Sequence, residues 1–128
     1  MRIIGGRFKG KKINFIRSSL TRPLKDSVKE NIFNVLMHSN KIDVPIEGSK
    51  VLDLYSGVGS FGLECISRGS KKVSFVEKNS VSYHILNDNL DKLSLLSKAE
   101  IYNQDVDSFI KIHLKKKYNI LFFDPPFA

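Results

Sequence analysis

The chain has little of what a protein held together by cross-links or metal ions needs. Its 128 residues include one cysteine, Cys65, which excludes an internal disulfide and a site built from several thiolates. The three histidines, His38, His84 and His113, lie far apart without the spacing of metal ligands. We therefore expect no metal site, and we expect Cys65 to be a small core residue within a helix.

Long apolar runs are also missing. No stretch approaches the roughly 18 consecutive apolar residues of a membrane span. The first residues, Met1 to Gly6, lack the apolar core of a secretory signal. We expect a cytoplasmic protein with no membrane partner, and its length and 41% hydrophobic content suit a folded globular unit.

Acidic residues are scarce, and the excess of basic residues is concentrated at one end of the chain. There are 21 basic and 13 acidic residues, a net charge of +8. Residues 1–30 hold nine basic against two acidic residues, a net +7 that leaves +1 for the rest. Such a segment favours a polyanion such as nucleic acid, although a solvated arm is an alternative. The candidate nucleic-acid contacts are Arg2, Arg7, Lys9, Lys11, Lys12 and Arg22.

The pattern along the chain divides it into two parts. Residues 1–20 form a small basic extension with short predicted strands, and residues 21–128 form the main domain. The main domain begins with a helix at about 24–38, in which Ser27 to Glu30 could form a capping box. Further on, the pattern predicts strands at 50–54, 72–76, 99–102 and 119–124 and helices at 60–68, 80–95 and 106–116. This alternation indicates βαβ units and a parallel sheet, so the predicted fold class is α/β.

A glycine-rich loop follows the first of these strands. Gly57, Gly59 and Gly62 match GxGxxG, which by spelling alone is typical of a dinucleotide site. However, Asp53 lies directly before the loop, where a carboxylate would repel a pyrophosphate but suit a cation such as the amino group of a methionine moiety. The glycines would let the backbone approach that ligand closely.

Acidic side chains also follow the second and third strands, where ligands of parallel sheets bind. Glu77 can accept hydrogen bonds from both hydroxyls of a ribose. Asp105 can accept from the exocyclic amine of adenine, while the amide of Val106 donates to a ring nitrogen. Helix caps at Asp53 or Asp105, and a plain surface acid at Glu77, are the alternatives.

The last predicted strand leads into an unusual motif. The apolar run 118–123 is followed by Asp124, Pro125, Pro126 and Phe127. An acid, two prolines and an aromatic residue at the end of a strand make a rigid cradle for a flat ring that carries an amine. A tight turn leaving a buried strand is the alternative.

Several blocks of the sequence together resemble one family. They are Met1 to Gly6, Lys9 to Lys12, Thr21 to Pro23, Asp26 to Asn34, Val51 to Glu64, Ser67 to Gly69, Val76 to Glu77 and Asp124 to Pro126. The chain resembles, over essentially its entire length, the S-adenosylmethionine-dependent methyltransferases. Within them it is similar to the RsmD-type enzymes, which methylate the N2 amine of a guanine in small-subunit (16S) ribosomal RNA.

The resemblance implies a Rossmann-like methyltransferase fold, S-adenosylmethionine as the cofactor, and ribosomal RNA or a small-subunit assembly as the partner. It implies that the Asp124 carboxylate and the Pro125 carbonyl accept the two N–H bonds of the guanine amine. Pro126 would stiffen this acceptor site, and Phe127 would stack on the base. The implied cofactor residues are Asp53, Gly57, Gly59, Glu77, Asp105 and Val106.

In the resembled family the sheet continues past this motif. We therefore expect a fold truncated after the fourth strand, which leaves 120–123 as an exposed apolar edge. Such a chain would be a fragment, or a truncated product that self-associates or needs a second chain. Three functional alternatives remain: an RNA- or cofactor-binding fragment without turnover, an amine methyltransferase acting on DNA, and a nicotinamide-dependent oxidoreductase built on GxGxxG.

Overall fold

A computed structural model describes residues 1–15, 25–38, 45–113 and 116–125 of the chain. The elements are α1 (Asp26–His38), β1 (Lys50–Leu54), α2 (Ser60–Ser67), β2 (Lys72–Val76), α3 (Ser80–Lys92), a 3-10 turn (Leu96–Lys98), β3 (Ala99–Tyr102), α4 (Val106–His113) and β4 (Ile120–Phe123). The predicted bounds of β1, β2 and β3 are confirmed. β4 is one residue shorter at each end than predicted.

The helix ends differ more from the sequence prediction than the strand ends do. α1 begins at Asp26, so Ser27 lies inside the first turn instead of at the cap position predicted for it. α3 ends at Lys92 rather than at residue 95. The reason is Ser94, whose φ of 58° is left-handed and cannot continue a helix.

The described strands form one parallel sheet in the order β3-β2-β1-β4. Leu54 at the end of β1 is in register with Val76 of β2 and with Phe123 of β4, while Val76 is in register with Tyr102 of β3. The carboxyl ends of the four strands therefore lie side by side at the same end of the sheet. The strand order reverses between β1 and β4, which makes this point the expected ligand position of an α/β sheet.

Successive strand residues point to opposite sides of the sheet, and apolar side chains pack on both faces. On one face a core joins the sheet to α1, α2 and α3, and Cys65 is fully buried there, as predicted. Burial raises the pKa of the Cys65 thiol well above its usual value. On the other face, Val106 and Phe109 of α4 form a smaller core with Leu52, Leu54 and Val76 of the sheet. These two layers confirm the predicted α/β fold.

The basic N-terminal segment packs on the first of these cores. Ile3 and Ile13 are 0% and 2% exposed and belong to the same core as the sheet residues. In place of the predicted short strands, β pairing within residues 1–15 is limited to an isolated antiparallel bridge between Arg2 and Lys12. The predicted domain boundary at residue 20 falls in the range 16–24, outside the described residues, and stays a prediction.

β4 lies at one edge of the sheet. It pairs with β1 on one side, and the described part of the chain places no strand on its other side. Leu121 and Phe123 are 59% and 58% exposed on one of its faces. The fourth strand is thus the exposed apolar edge that the sequence predicts, within the residues that the structure describes.

Candidate functional site

The glycine loop crosses the carboxyl ends of β1 and β2. After Leu54 the chain turns through Tyr55, at a φ of 56°, and reaches α2 after Gly59, at a φ of 93°. The Ser56 amide donates to the Val76 carbonyl at 3.0 Å, and the Val76 amide donates to the Ser56 hydroxyl at 3.1 Å. The loop is therefore fastened to the end of the neighbouring strand.

The three glycines of this loop serve two different purposes. A Cβ at Gly59 would lie 2.3 Å from Leu86 Cδ1, and one at Gly62 would lie 2.2 Å from Phe75 Cε1. Those two glycines let α2 pack closely on α3 and β2. A Cβ at Gly57 would meet nothing within 4 Å. Of the three, Gly57 is therefore the one that leaves open space beside the backbone, as close approach of a ligand requires.

Asp53, near the end of β1, is 1% exposed. Its Oδ2 accepts a hydrogen bond from the Gly62 amide at 3.2 Å. Burial raises the pKa of the Asp53 carboxyl to about 8, against the opposing effect of that bond, and the charges of Glu77 and Asp124 raise it further. The group therefore holds a proton at neutral pH, and a cation placed beside it would favour its ionised form.

Glu77, directly after β2, has both carboxylate oxygens held by backbone amides. Oε1 accepts from the Gly57 amide at 2.8 Å, and Oε2 accepts from the Asn79 amide at 2.9 Å. The Glu77 amide itself donates to the Tyr102 carbonyl at 3.0 Å, which ties this residue to the end of β3. Because a carboxylate oxygen has more than one lone pair, each oxygen can still accept from a hydroxyl.

Asp105 caps α4, which is the structural alternative considered from the sequence. Its Oδ1 accepts from the Ser108 amide at 2.8 Å and its Oδ2 from the Ser108 hydroxyl at 3.0 Å. These two bonds lower the pKa of the exposed Asp105 carboxyl. Val106 is buried in the smaller core. The predicted contact with adenine stays a prediction, since a capping carboxylate keeps free lone pairs.

The acid and proline motif follows β4, beside the end of β1. Asp124 and Pro125 are exposed directly after Phe123. The Phe123 ring meets the Tyr55 ring edge-on, with centroids 5.4 Å apart. Pro126 and Phe127 lie outside the described residues. The structure therefore brings Asp53, Glu77 and Asp124 to the carboxyl ends of three neighbouring strands.

The basic side chains predicted to contact nucleic acid are exposed where the structure describes them. Arg2 lies 3.6 Å from Asp26, and the Arg7 guanidinium lies 5.5 Å from the centroid of the Phe8 ring. Arg22 lies outside the described residues. The exposed members of this group, here named the basic surface, are Arg2, Arg7, Lys9, Lys11 and Lys12.

Sequence reasoning missed a buried ionic cluster behind the basic surface. Lys29 is one of the nine basic residues counted in residues 1–30, but it is 0% exposed and pairs with Glu64, also 0% exposed, at 3.3 Å. Burial lowers the pKa of Lys29, while Glu64 opposes that shift. The spacing of four residues between Glu64 on α2 and Arg68, directly after α2, was the one local signal, and their side chains lie 2.9 Å apart.

Two further properties bear on the kind of site. No group of three or more His, Cys, Asp or Glu side chains within the described ranges could hold a metal ion. Among the helices of those same ranges, none combines the length and apolar character needed to cross a membrane.

Comparison with known proteins gives the family. The sequence profile of the family described as "Conserved hypothetical protein 95" matches residues 1–128. The chain is 38% identical to "Ribosomal RNA small subunit methyltransferase D" of Haemophilus influenzae over 129 residues, which cover 99% of this chain and 64% of the relative. The chain spans 60% to 67% of the length of the curated relatives that it matches over nearly all of its own length.

Solved structures agree with this result. A candidate methyltransferase of Escherichia coli has a TM-score of 0.78 at 32% identity, over 99% of this chain and 64% of that chain. A candidate SAM-dependent methyltransferase of Streptococcus mutans has a TM-score of 0.62 at 19% identity, over 78% of this chain and 25% of that chain, and shows the fold alone. From its profile match, its relatives and its fold, this chain belongs to the conserved hypothetical protein 95 family of RsmD-type methyltransferases, as its sequence predicts.

Proposed function

We propose that this protein transfers a methyl group from S-adenosylmethionine to the exocyclic N2 amine of a guanine in small-subunit ribosomal RNA. The observation that carries the proposal is the position of Asp53, Glu77 and Asp124 at the carboxyl ends of three neighbouring strands, where the strand order reverses and where Glu77 binds the Gly57 amide. The name of the Haemophilus influenzae relative supports ribosomal RNA as the substrate. The motif after β4 supports an amine as the methyl acceptor.

The residues present fit a cationic cofactor. Asp53 would face its amino group, and Glu77, already oriented by the Gly57 and Asn79 amides, would accept from its ribose hydroxyls. Asp105 and the amide of Val106 would contact its adenine. A nicotinamide cofactor is disfavoured, because the buried Asp53 lies directly before the glycine loop, where a cation would favour its ionised form and a pyrophosphate would not.

The chain's own part in the reaction would be to position the amine. When bound, S-adenosylmethionine supplies a methyl group on a sulfonium, which is already a strong donor. The guanine N2 lone pair is delocalised into the ring, so the Asp124 carboxylate and the Pro125 carbonyl would accept its two N–H bonds and direct the lone pair outward. Such alignment of two reactants can lower a barrier by about 7 to 11 kcal/mol.

Pro126 and Phe127 complete the proposed acceptor site. Two successive prolines restrict the backbone, so the acceptor atoms need little reordering when the base arrives. Stacking of the base on Phe127 would contribute about 1 to 3 kcal/mol of binding. Asp124 would take the amine proton or pass it to water.

Thermal unfolding tests the cofactor. We expect S-adenosylmethionine to raise the Tm of the wild-type chain and Asp53→Ala to abolish this rise. Asp88→Ala, at an exposed position on α3, should retain it. A wild-type Tm that does not respond to S-adenosylmethionine would count against the proposal, and a response to NAD alone would support the oxidoreductase.

Transfer of labelled methyl groups tests the reaction. Small-subunit ribosomal RNA lacking the modification is incubated with protein and labelled cofactor and then digested to nucleosides. We expect the label in N2-methylguanosine, and a loss of about 100-fold or more in Asp124→Ala, because one oriented acceptor is removed. Asp107→Ala, exposed on α4, is the control. Cofactor binding without transfer would support a binding fragment, and label in DNA amines would support the DNA alternative.

A further inference from the structure

Glu64 of α2 has an unusual set of partners. Its side chain is 0% exposed, and its two oxygens accept from the amides of Ile4 and Gly5, each at 2.9 Å. Lys29 Nζ lies 3.3 Å from Oε1, and Arg68 Nε lies 2.9 Å from Oε2. A buried carboxylate needs such a complete set of donors, because burying its oxygens without hydrogen-bond partners costs free energy. Two of the donors come from the basic N-terminal segment, about sixty positions away in sequence.

The same segment is attached to the last turn of α2 through Ser67. The amide of Arg7 donates to the Ser67 carbonyl at 2.7 Å, and the amide of Phe8 donates to its hydroxyl at 2.9 Å. That hydroxyl donates in turn to the Gly5 carbonyl at 2.5 Å. These contacts use the main chain of the segment, so its basic side chains remain exposed.

Gly6 makes this close contact sterically possible. It has a φ of +77°, and a Cβ there would lie 2.0 Å from the Ser67 carbonyl oxygen. Gly10 also has a positive φ, +84°, but a Cβ at that position would meet nothing within 4 Å. The two glycines therefore share a backbone requirement and differ in whether they touch α2.

α2 links this contact to the candidate cofactor site. The helix starts directly after Gly59, and its Gly62 amide binds Asp53. Lys29 contacts both the start of α2 and the N-terminal segment. Its Nζ donates to the Ser60 hydroxyl at 3.1 Å and to the Arg2 carbonyl at 2.8 Å. Eight helical residues span only about 12 Å, so the basic surface and the glycine loop are held at a fixed short separation.

We propose that Glu64 is a positioning residue for RNA binding: its buried carboxylate fixes residues 2–8 against α2, so that the basic surface meets RNA as one preorganised patch. The proposal rests on the proposed function, because it takes ribosomal RNA as the ligand. Preorganisation matters because ordering a loose segment on binding would reduce the affinity.

The test compares Glu64→Gln and Gly6→Ala with wild type, and uses Gly10→Ala as the matched control. Glu64→Gln keeps the size of the side chain but leaves one oxygen for the two amides, and Gly6→Ala blocks the contact without changing any charge. Hydrogen exchange at the amides of Ile4, Gly5, Arg7 and Phe8 reports whether the segment is attached. Binding of a small-subunit ribosomal RNA transcript is measured across a salt series, and S-adenosylmethionine binding shows that the variants are folded.

In both variants we expect these amides to exchange faster and RNA binding to be about tenfold weaker. The slope of log K against log salt should decrease in magnitude by about 1 to 2. Cofactor affinity should stay within about twofold of wild type, and Gly10→Ala should keep wild-type exchange and RNA binding. Detached variants with unchanged RNA affinity and slope would overturn the role of Glu64 while the proposed function stands. A wild-type chain that does not bind the RNA would overturn both.

Discussion

At the scale of single residues, Asp53 is the most deeply buried of the acidic side chains proposed for the site. It is 1% exposed, and burial raises its pKa to about 8 from an ordinary value of 3.8. The nearby charges of Glu77 and Asp124 act in the same direction, because like charges disfavour ionisation. Folding therefore changes the proton affinity of this group.

We expect the free energy of unfolding to fall as pH rises from about 4 to about 8. In this window the unfolded chain ionises Asp53 while the folded chain keeps its proton, so a higher pH favours the unfolded chain. Asp53→Asn retains an acceptor for the Gly62 amide and should remove this part of the pH dependence. Urea unfolding midpoints at about pH 5 and about pH 8 measure it.

Asp88→Asn serves as the control, because its side chain lies on the exposed face of α3. It should show the same pH dependence as wild type. The prediction fails if wild type and Asp53→Asn lose stability equally between the two pH values.

At the scale of elements, the close packing of α2 against its neighbours depends on glycine. Gly59 lies where a methyl group would overlap the Leu86 side chain, and Gly62 lies where one would overlap the Phe75 ring. The sequence motif suggested ligand approach as the reason for these glycines. The structure adds a packing reason for two of them.

Gly59→Ala should therefore destabilise the protein more than Gly48→Ala does. Both glycines have positive φ values, +93° and +75°, but a Cβ at Gly48 meets nothing within 4 Å. The shared backbone strain cancels in the comparison, and overpacking against Leu86 should lower the unfolding free energy by about 1 to 3 kcal/mol more. Urea denaturation of both variants measures the difference, and equal losses would contradict the packing argument.

β4 is the element that invites pairing with another chain. Its outer edge has no strand partner in the described residues, and Leu121 is 59% exposed. We expect concentration-dependent association of the wild-type chain in light scattering, and we expect Leu121→Lys to reduce it by placing a charge at the edge. Ile112→Lys, at a 69% exposed position on α4, should not. A wild-type chain that stays monomeric at all concentrations would exclude this prediction.

At the scale of the whole molecule, the distribution of charge matters more than its total. Of the net charge of +8, residues 1–30 contribute +7. The structure removes Lys29 from the surface part of this charge, because Lys29 is buried against Glu64. The exposed remainder includes the basic surface, which is fixed to α2.

Neutralising part of the basic surface should weaken RNA binding more than removing the same charge elsewhere. We expect the combined change of Lys9, Lys11 and Lys12 to alanine to lower the slope of log K against log salt by about 2, since three phosphate contacts are lost. The matched control replaces three other exposed lysines, Lys50, Lys71 and Lys98. Filter binding across a salt series compares them, and equal slopes would indicate that only net charge matters.

The sequence by itself determined the local features of this protein. The mainly apolar runs at 51–54 and 73–76 set β1 and β2 to the residue, because a strand covered on both faces carries apolar side chains on both. The bounds of the half-buried β3 were also predicted correctly. The order of acids after the strands also identified Asp53 and Glu77 as site candidates, since parallel strands end at the same edge of a sheet. Helix ends were less accurate, because a single left-handed residue, Ser94, terminates α3.

Only the tertiary structure decided which side chains are buried together. The contacts of Glu64 with Ile4 and Gly5 join residues about sixty positions apart, and no local pattern encodes such a distance. The burial of Lys29 also depends on Glu64, because a lysine side chain is stably buried only where a carboxylate and other acceptors surround its ammonium group. The sequence thus determined the strands and the acids that end them, and packing decided how the basic segment is held beside them.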